Sequence, residues 1–97
     1  MSRYQFSSQA RRDLYGILDY IAEDNLRASE RVRLAIMRAI GRLADRPGIG
    51  HWRPDLTDRP LRFWSVMGRY TIVYREDRPI EVIRIFGPGR DVASLLK

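Results

Sequence analysis

The chain has 97 residues, 44% hydrophobic and 31% charged, a balance that fits one globular domain and excludes disordered and fibrous classes. It contains no cysteine, which removes disulfide scaffolds and thiolate metal sites, and its one histidine leaves only scattered carboxylates as ligands. Eighteen basic residues face twelve acidic ones, a formal charge of +6, and only Lys97 among the basic residues is a lysine.

Tyr4-Gln5-Phe6 alternates and is short, so it reads as an edge strand. Ser7 or Ser8 then caps a helix, because a serine hydroxyl accepts a bond from a first-turn amide that lacks an intrahelical partner. Ala10, Leu14, Ile17, Leu18 and Ile21 form one apolar stripe, which predicts a helix over residues 8–24 with a break near Asp24-Asn25. Val32, Ala35, Ile36, Ala39, Ile40 and Leu43 form a second stripe, predicting a helix from Ala28 or Ser29 that stops at Pro47-Gly48. A short connection makes the pair antiparallel, with Ala35 and Ala39 letting the backbones approach.

Residues 47–60 are rich in Pro, Gly and Asp and read as a long loop, with Trp52 expected to be a packing anchor beneath it. The period then becomes two. Leu61–Val66, Tyr70–Arg75 and Ile80–Phe86 are three strand-like runs separated by Met67-Gly68 and by Glu76–Pro79. They predict a three-stranded antiparallel meander, one face covering the helix pair and the other free to meet water. Tyr70 and Tyr74 are expected in the core. The order is β-α-α-β-β-β, an α+β fold in one domain over residues 1–97 that ends in a tail, Val92–Lys97.

The charge is spread evenly. Residues 1–50 and residues 51–97 each carry nine basic and six acidic side chains, so there is no basic tail. Such a globule attracts an acidic partner or a nucleic acid over a broad surface. No apolar run approaches the ~20 residues needed to span a bilayer, and Met1–Phe6 lacks the apolar core of a signal peptide. The expectation is a cytoplasmic protein without membrane contact.

Conventional hydrolase chemistry finds little support. Gly87-Pro88-Gly89 closes a strand, opens no helix and lacks the Lys-Ser/Thr of a phosphate loop, and no nucleophile elbow is present. No metal or cofactor is expected. Arg84 stands in the middle of an apolar strand. It reads either as a solvent-face side chain paired with Glu81 or a neighbouring strand, or as part of an anion-binding surface shared with Arg62, Arg69 and Arg75. Arg90, after the glycine turn, is placed to fold back toward that surface. Metal-free RNA cleavage needs a proton-transfer group as well as cations. Arginine is too basic for that role. His51 lies in the long loop and Lys97 at the end, which leaves Glu76, Asp77, Glu81, Asp91 and the loop acids.

Phe6–Leu14, Ile17–Ile21, Pro47-Gly48-Ile49-Gly50 with Arg53, Arg62–Val66 before Tyr70–Tyr74, and Ile83–Asp91 occur in an order and spacing that resembles the ParE branch of the RelE/ParE toxins. These are the toxins of type II toxin–antitoxin modules, also called plasmid-stabilisation proteins. Ribonuclease members of the RelE branch resemble one another in lysines and a C-terminal tyrosine or histidine. This chain has no lysine before residue 97 and no tyrosine or histidine after Tyr74, which favours the ParE side.

The resemblance implies a growth-inhibiting toxin that poisons DNA gyrase and forms a hetero-oligomer with a neutralising ParD-like antitoxin. That antitoxin would have a DNA-binding N-terminal half and an acidic C-terminal segment. The implied target-binding residues are Arg84, Arg90, Asp91, Leu95 and Leu96. The implied antitoxin- or anion-binding residues are Arg62, Arg69, Arg75, Leu14, Ile17 and Ile21. Two alternatives stay open. One is a ribosome-dependent mRNA endonuclease of RelE type built on Arg62, Arg69 and Arg84. The other, motivated by Gly87 and Gly89 where the family commonly has a histidine and an arginine, is a decayed toxin retained to bind its antitoxin.

Overall fold

The structure is a computed structural model describing residues 3–96, so Lys97 at the end of the expected tail lies outside the described residues. The chain runs through β1 (Tyr4–Phe6), α1 (Ser8–Asp24), α2 (Leu26–Asp45), a 3-10 turn (Pro47–Ile49) and β2 (His51–Trp52). It continues through β3 (Arg62–Val66), β4 (Tyr70–Arg75), β5 (Ile80–Phe86) and a short helix, α3 (Val92–Leu95).

Ser7 is the cap of α1. Its Oγ accepts from Ala10 N–H at 2.9 Å and donates to the Ile83 carbonyl at 2.7 Å, so one hydroxyl starts the helix and ties it to β5. Ser7→Ala removes both bonds and is expected to cost about 1 kcal/mol. Urea denaturation checks this, and an unchanged midpoint would rule out the dual role. Asn25 alone separates the two helices. Its N–H ends α1 on the Ile21 carbonyl, and its Oδ1 caps α2 by accepting from Ala28 N–H at 3.0 Å. This is why α2 begins at Leu26, ahead of the first apolar residue of its stripe. Ser29 is buried between the helices and donates to the Leu18 carbonyl at 2.8 Å.

The expected α+β architecture holds, but the sheet has five strands in the order β1-β5-β4-β3-β2 and is mixed. β3, β4 and β5 form the antiparallel meander. β1 is an edge strand that pairs parallel with Ile80–Val82 of β5, and β2 pairs antiparallel with Arg62 and Phe63. Alternation shows that a segment is extended but carries no direction, and two residues carry no period at all. β1 covers only half of β5. The exposed remainder is satisfied from α1: Ser7 N–H and Oγ donate to the carbonyls of Val82 and Ile83, and Asp13 Oδ2 accepts from Ile85 N–H at 2.9 Å.

One sheet face carries the main core. Ala10, Leu14, Val32, Ile36, Ile40 and Leu43 from the helices meet Val66, Tyr70, Ile72, Tyr74, Ile80, Val82 and Ile85 from the strands. The other face does not meet water as expected. Phe63, Val73 and Phe86 form a second core there with Leu61 and Leu96, flanked by Leu56, Ile83, Val92 and Leu95. The loop before β3 and the C-terminal segment therefore make a third layer. Val73 and Tyr74 are both fully buried because the sheet has a core on each side.

Candidate functional site

The expected arginine group does not assemble on one face. Arg62 lies opposite Tyr74 and Arg84 opposite Val73, consecutive residues of β4 whose side chains enter different cores. Arg62 donates to Glu76 at 2.6 Å and to the Gly50 carbonyl at 2.9 Å, and its guanidinium stacks 4.0 Å from the centroid of Trp52. Trp52 is thus an exposed platform and not an anchor under the loop, being 53% accessible. Arg75 pairs with Glu81 and, at 2.9 Å, with Asp77. Arg69 is exposed in the turn between β3 and β4.

Arg84 pairs with Asp13 of α1, not with Glu81. Nε donates to Oδ2 at 2.8 Å and Nη2 to Oδ1 at 3.2 Å, and the two side chains are only 15% and 11% accessible. The Arg84 Nη1 also donates to the Leu95 carbonyl at 3.2 Å. Burial raises the Asp13 pKa, but the bonds from Arg84, Ile85 N–H and Gln9 and the charge of Arg84 outweigh it. The carboxyl ends below its ordinary 3.8.

Beyond β5, Gly89 takes a φ of +78°, a conformation that favours glycine. It turns the chain so that Arg90 is exposed. Asp91 then caps α3, accepting from Ser94 N–H at 3.3 Å and from Ser94 Oγ at 2.9 Å. Leu95 is partly buried, and Leu96 is 3% accessible in the second core. Of the residues assigned to target binding, Arg90 and Asp91 lie open while Arg84 and Leu96 hold the segment down.

Two open surfaces lie beside the expected site residues. Between the helices, Phe6, Leu14, Tyr15, Leu18 and Met37 line an apolar groove of about 280 Å³ with Arg11 and Arg33 also in its lining. Leu14 belongs to this groove. Ile17 and Ile21 line no part of it and pack against the main core. At the β2 edge of the sheet, a cleft of about 500 Å³ brings His51 and Arg53 beside Arg90 and Val92, with Phe63 and Trp64 in its walls. The sequence left His51 isolated in a loop. Nothing in its spacing from residue 90 announces that the antiparallel pairing of β2 and β3 carries it there. Among the described residues no three His, Cys, Asp or Glu side chains gather to hold a metal ion. No helix among them is long and apolar enough to cross a membrane.

A two-helix hairpin on a mixed sheet, with the C-terminal segment pinned across the far face, is the fold of a toxin from a type II toxin–antitoxin module. The family model described as ParE toxin of type II toxin-antitoxin system, parDE, matches residues 4–92, and the chain belongs to that family. Among solved structures, it is similar to a chain of the chromosomal ParDE TA system from P. aeruginosa, at 19% sequence identity and a TM-score of 0.69. That match covers 90% of this chain and 99% of the other. No curated protein sequence matches this one.

Proposed function

We propose that this ParE-type toxin stops growth by poisoning DNA gyrase, and that a ParD-like antitoxin neutralises it in a hetero-oligomer. Membership of the ParE family over residues 4–92 is the observation that carries the reading. The physical chemistry agrees with it. A +6 chain attracts an acidic segment and speeds its capture. The apolar groove between α1 and α2, with Arg11 and Arg33 in its lining, suits an amphipathic acidic segment that folds as it binds. On the target side, the proposed contact surface is the C-terminal segment, with Arg90 as its exposed cation.

Gyrase supercoiling of relaxed plasmid is the direct test, first with the purified toxin and then with its antitoxin added. Inhibition is expected, with relief at equimolar antitoxin. Arg90→Ala is expected to weaken inhibition about tenfold, the loss of one charge-assisted contact. No inhibition by folded toxin would remove gyrase as the target. Full inhibition by the Arg90 variant would move the contact surface elsewhere.

A further inference from the structure

The edge of the sheet at β2 gathers cations and aromatic rings of which the toxin reading uses only Arg90. The cleft of about 500 Å³ beside Arg53 and Arg90 meets a second of about 460 Å³ beside Arg42 and Arg46, and His51 and Trp64 line both. His51 lies flat against Trp64, with centroids 5.8 Å apart and planes 11° apart, and His51 is exposed. The Arg42 guanidinium stands 5.5 Å from the centroid of the same indole.

The acidic side chains in these clefts are engaged elsewhere. Asp45 pairs with Arg3, and Asp91 accepts from Ser94. Arg53 pairs with Asp55, but Arg42, Arg46 and Arg90 are exposed and form no ion pair among the described residues.

We propose that this edge binds single-stranded nucleic acid, with phosphates on Arg42, Arg46 and Arg90 and a base stacked on His51. A guanidinium matches the phosphate fork, and any base presents a π-face to an aromatic ring. Ser65 and Thr71 line the cleft on the Arg90 side and add hydroxyl donors for the backbone. An acidic peptide would use the arginines but leave the stacked rings idle, which is why the combination favours an unpaired strand. The proposal concerns binding alone and holds whether or not gyrase is the target.

Fluorescence anisotropy of the full chain with a labelled 12-nucleotide single strand, as DNA and as RNA, tests it across a salt series. Binding is expected to weaken with salt. Arg42→Ala with Arg46→Ala should reduce the log–log salt slope by about 1.4, two phosphates at roughly 0.7 each. His51→Ala should weaken binding about tenfold with the slope unchanged, and His51→Phe should restore it. The control is Arg27→Ala with Arg31→Ala, two exposed arginines at the other end of α2, which should leave both quantities alone. The idea is overturned if the wild type binds neither strand, or if the control pair costs as much as the Arg42/Arg46 pair. It is equally overturned if a polyglutamate peptide, and not the oligonucleotide, responds to the Arg42/Arg46 pair.

Discussion

Arg84→Ala is expected to destabilise the protein by about 3 kcal/mol, the lower end of what breaking a buried ion pair costs, because both partners keep a little solvent contact. The loss has three parts. Asp13 stays largely buried with its charge uncompensated. The Leu95 carbonyl loses its donor. The guanidinium also leaves the face of Phe86, 4.8 Å from its centroid. Asp13→Asn keeps the volume and can still accept from Ile85 N–H, so its expected cost is smaller, about 2 kcal/mol.

The two variants separate further with pH. The folded carboxyl titrates below its ordinary 3.8, so its stabilising contribution is complete above that value. It is lost as pH falls from there through the depressed folded value. Wild type should therefore show an acid limb in its urea midpoint that Asp13→Asn flattens. Equal acid limbs in the two proteins would mean the pair does not set the Asp13 titration.

This pair also separates two roles for Arg84 in toxicity. If Arg84 touches the target, Asp13→Asn should leave inhibition intact. If it acts by holding the Leu95 carbonyl, both variants should release the C-terminal segment. Amide exchange at α3 should then accelerate in both while the amides of β4 stay protected.

The helices and the meander were legible because their signals are local. Apolar stripes at helical spacing and runs of period two survive without knowledge of partners, and Leu43, Ile72 and Tyr74 are buried as their positions require. Three things had no local signature. The parallel pairing of Tyr4–Phe6 depends on where the helix hairpin returns the chain. The second core depends on Leu61 and Leu96, which read singly as the start of a strand and as tail. The partner of Arg84 stands 71 residues earlier. Glu81 is much nearer in sequence, but the register gives it to Arg75. The site residues were legible as types, arginines in a basic chain, but their grouping follows from which sheet face each one enters.

Gly50→Ala should cost about 3 kcal/mol, although Gly50 has a φ of −68° that any residue adopts. The obstacle is packing. A Cβ on Gly50 would stand 2.7 Å from Tyr74 Cε1 and 2.8 Å from Cζ, and closer still to the hydroxyl. Tyr74 is fully buried and cannot step aside. Its hydroxyl accepts from Gly50 N–H at 3.0 Å and donates to the Pro47 carbonyl, so the ring is stapled to both ends of the turn that leads into β2. Burial raises the phenol pKa above its ordinary 10.0, in keeping with a hydroxyl that must stay protonated to donate.

Tyr74→Phe removes both bonds and strands two backbone groups, at about 2 kcal/mol. In the double variant the closest clashing atom is gone while the ring carbons remain. Its cost should therefore fall short of the sum by about 1 kcal/mol. A double-mutant cycle in urea measures this, and strict additivity would show that the hydroxyl is not what excludes a side chain at position 50. Because this turn carries His51 and Trp52 into the sheet, the single Gly50→Ala variant should also disturb the His51–Trp64 stack. A change in tryptophan fluorescence below the unfolding transition would report it.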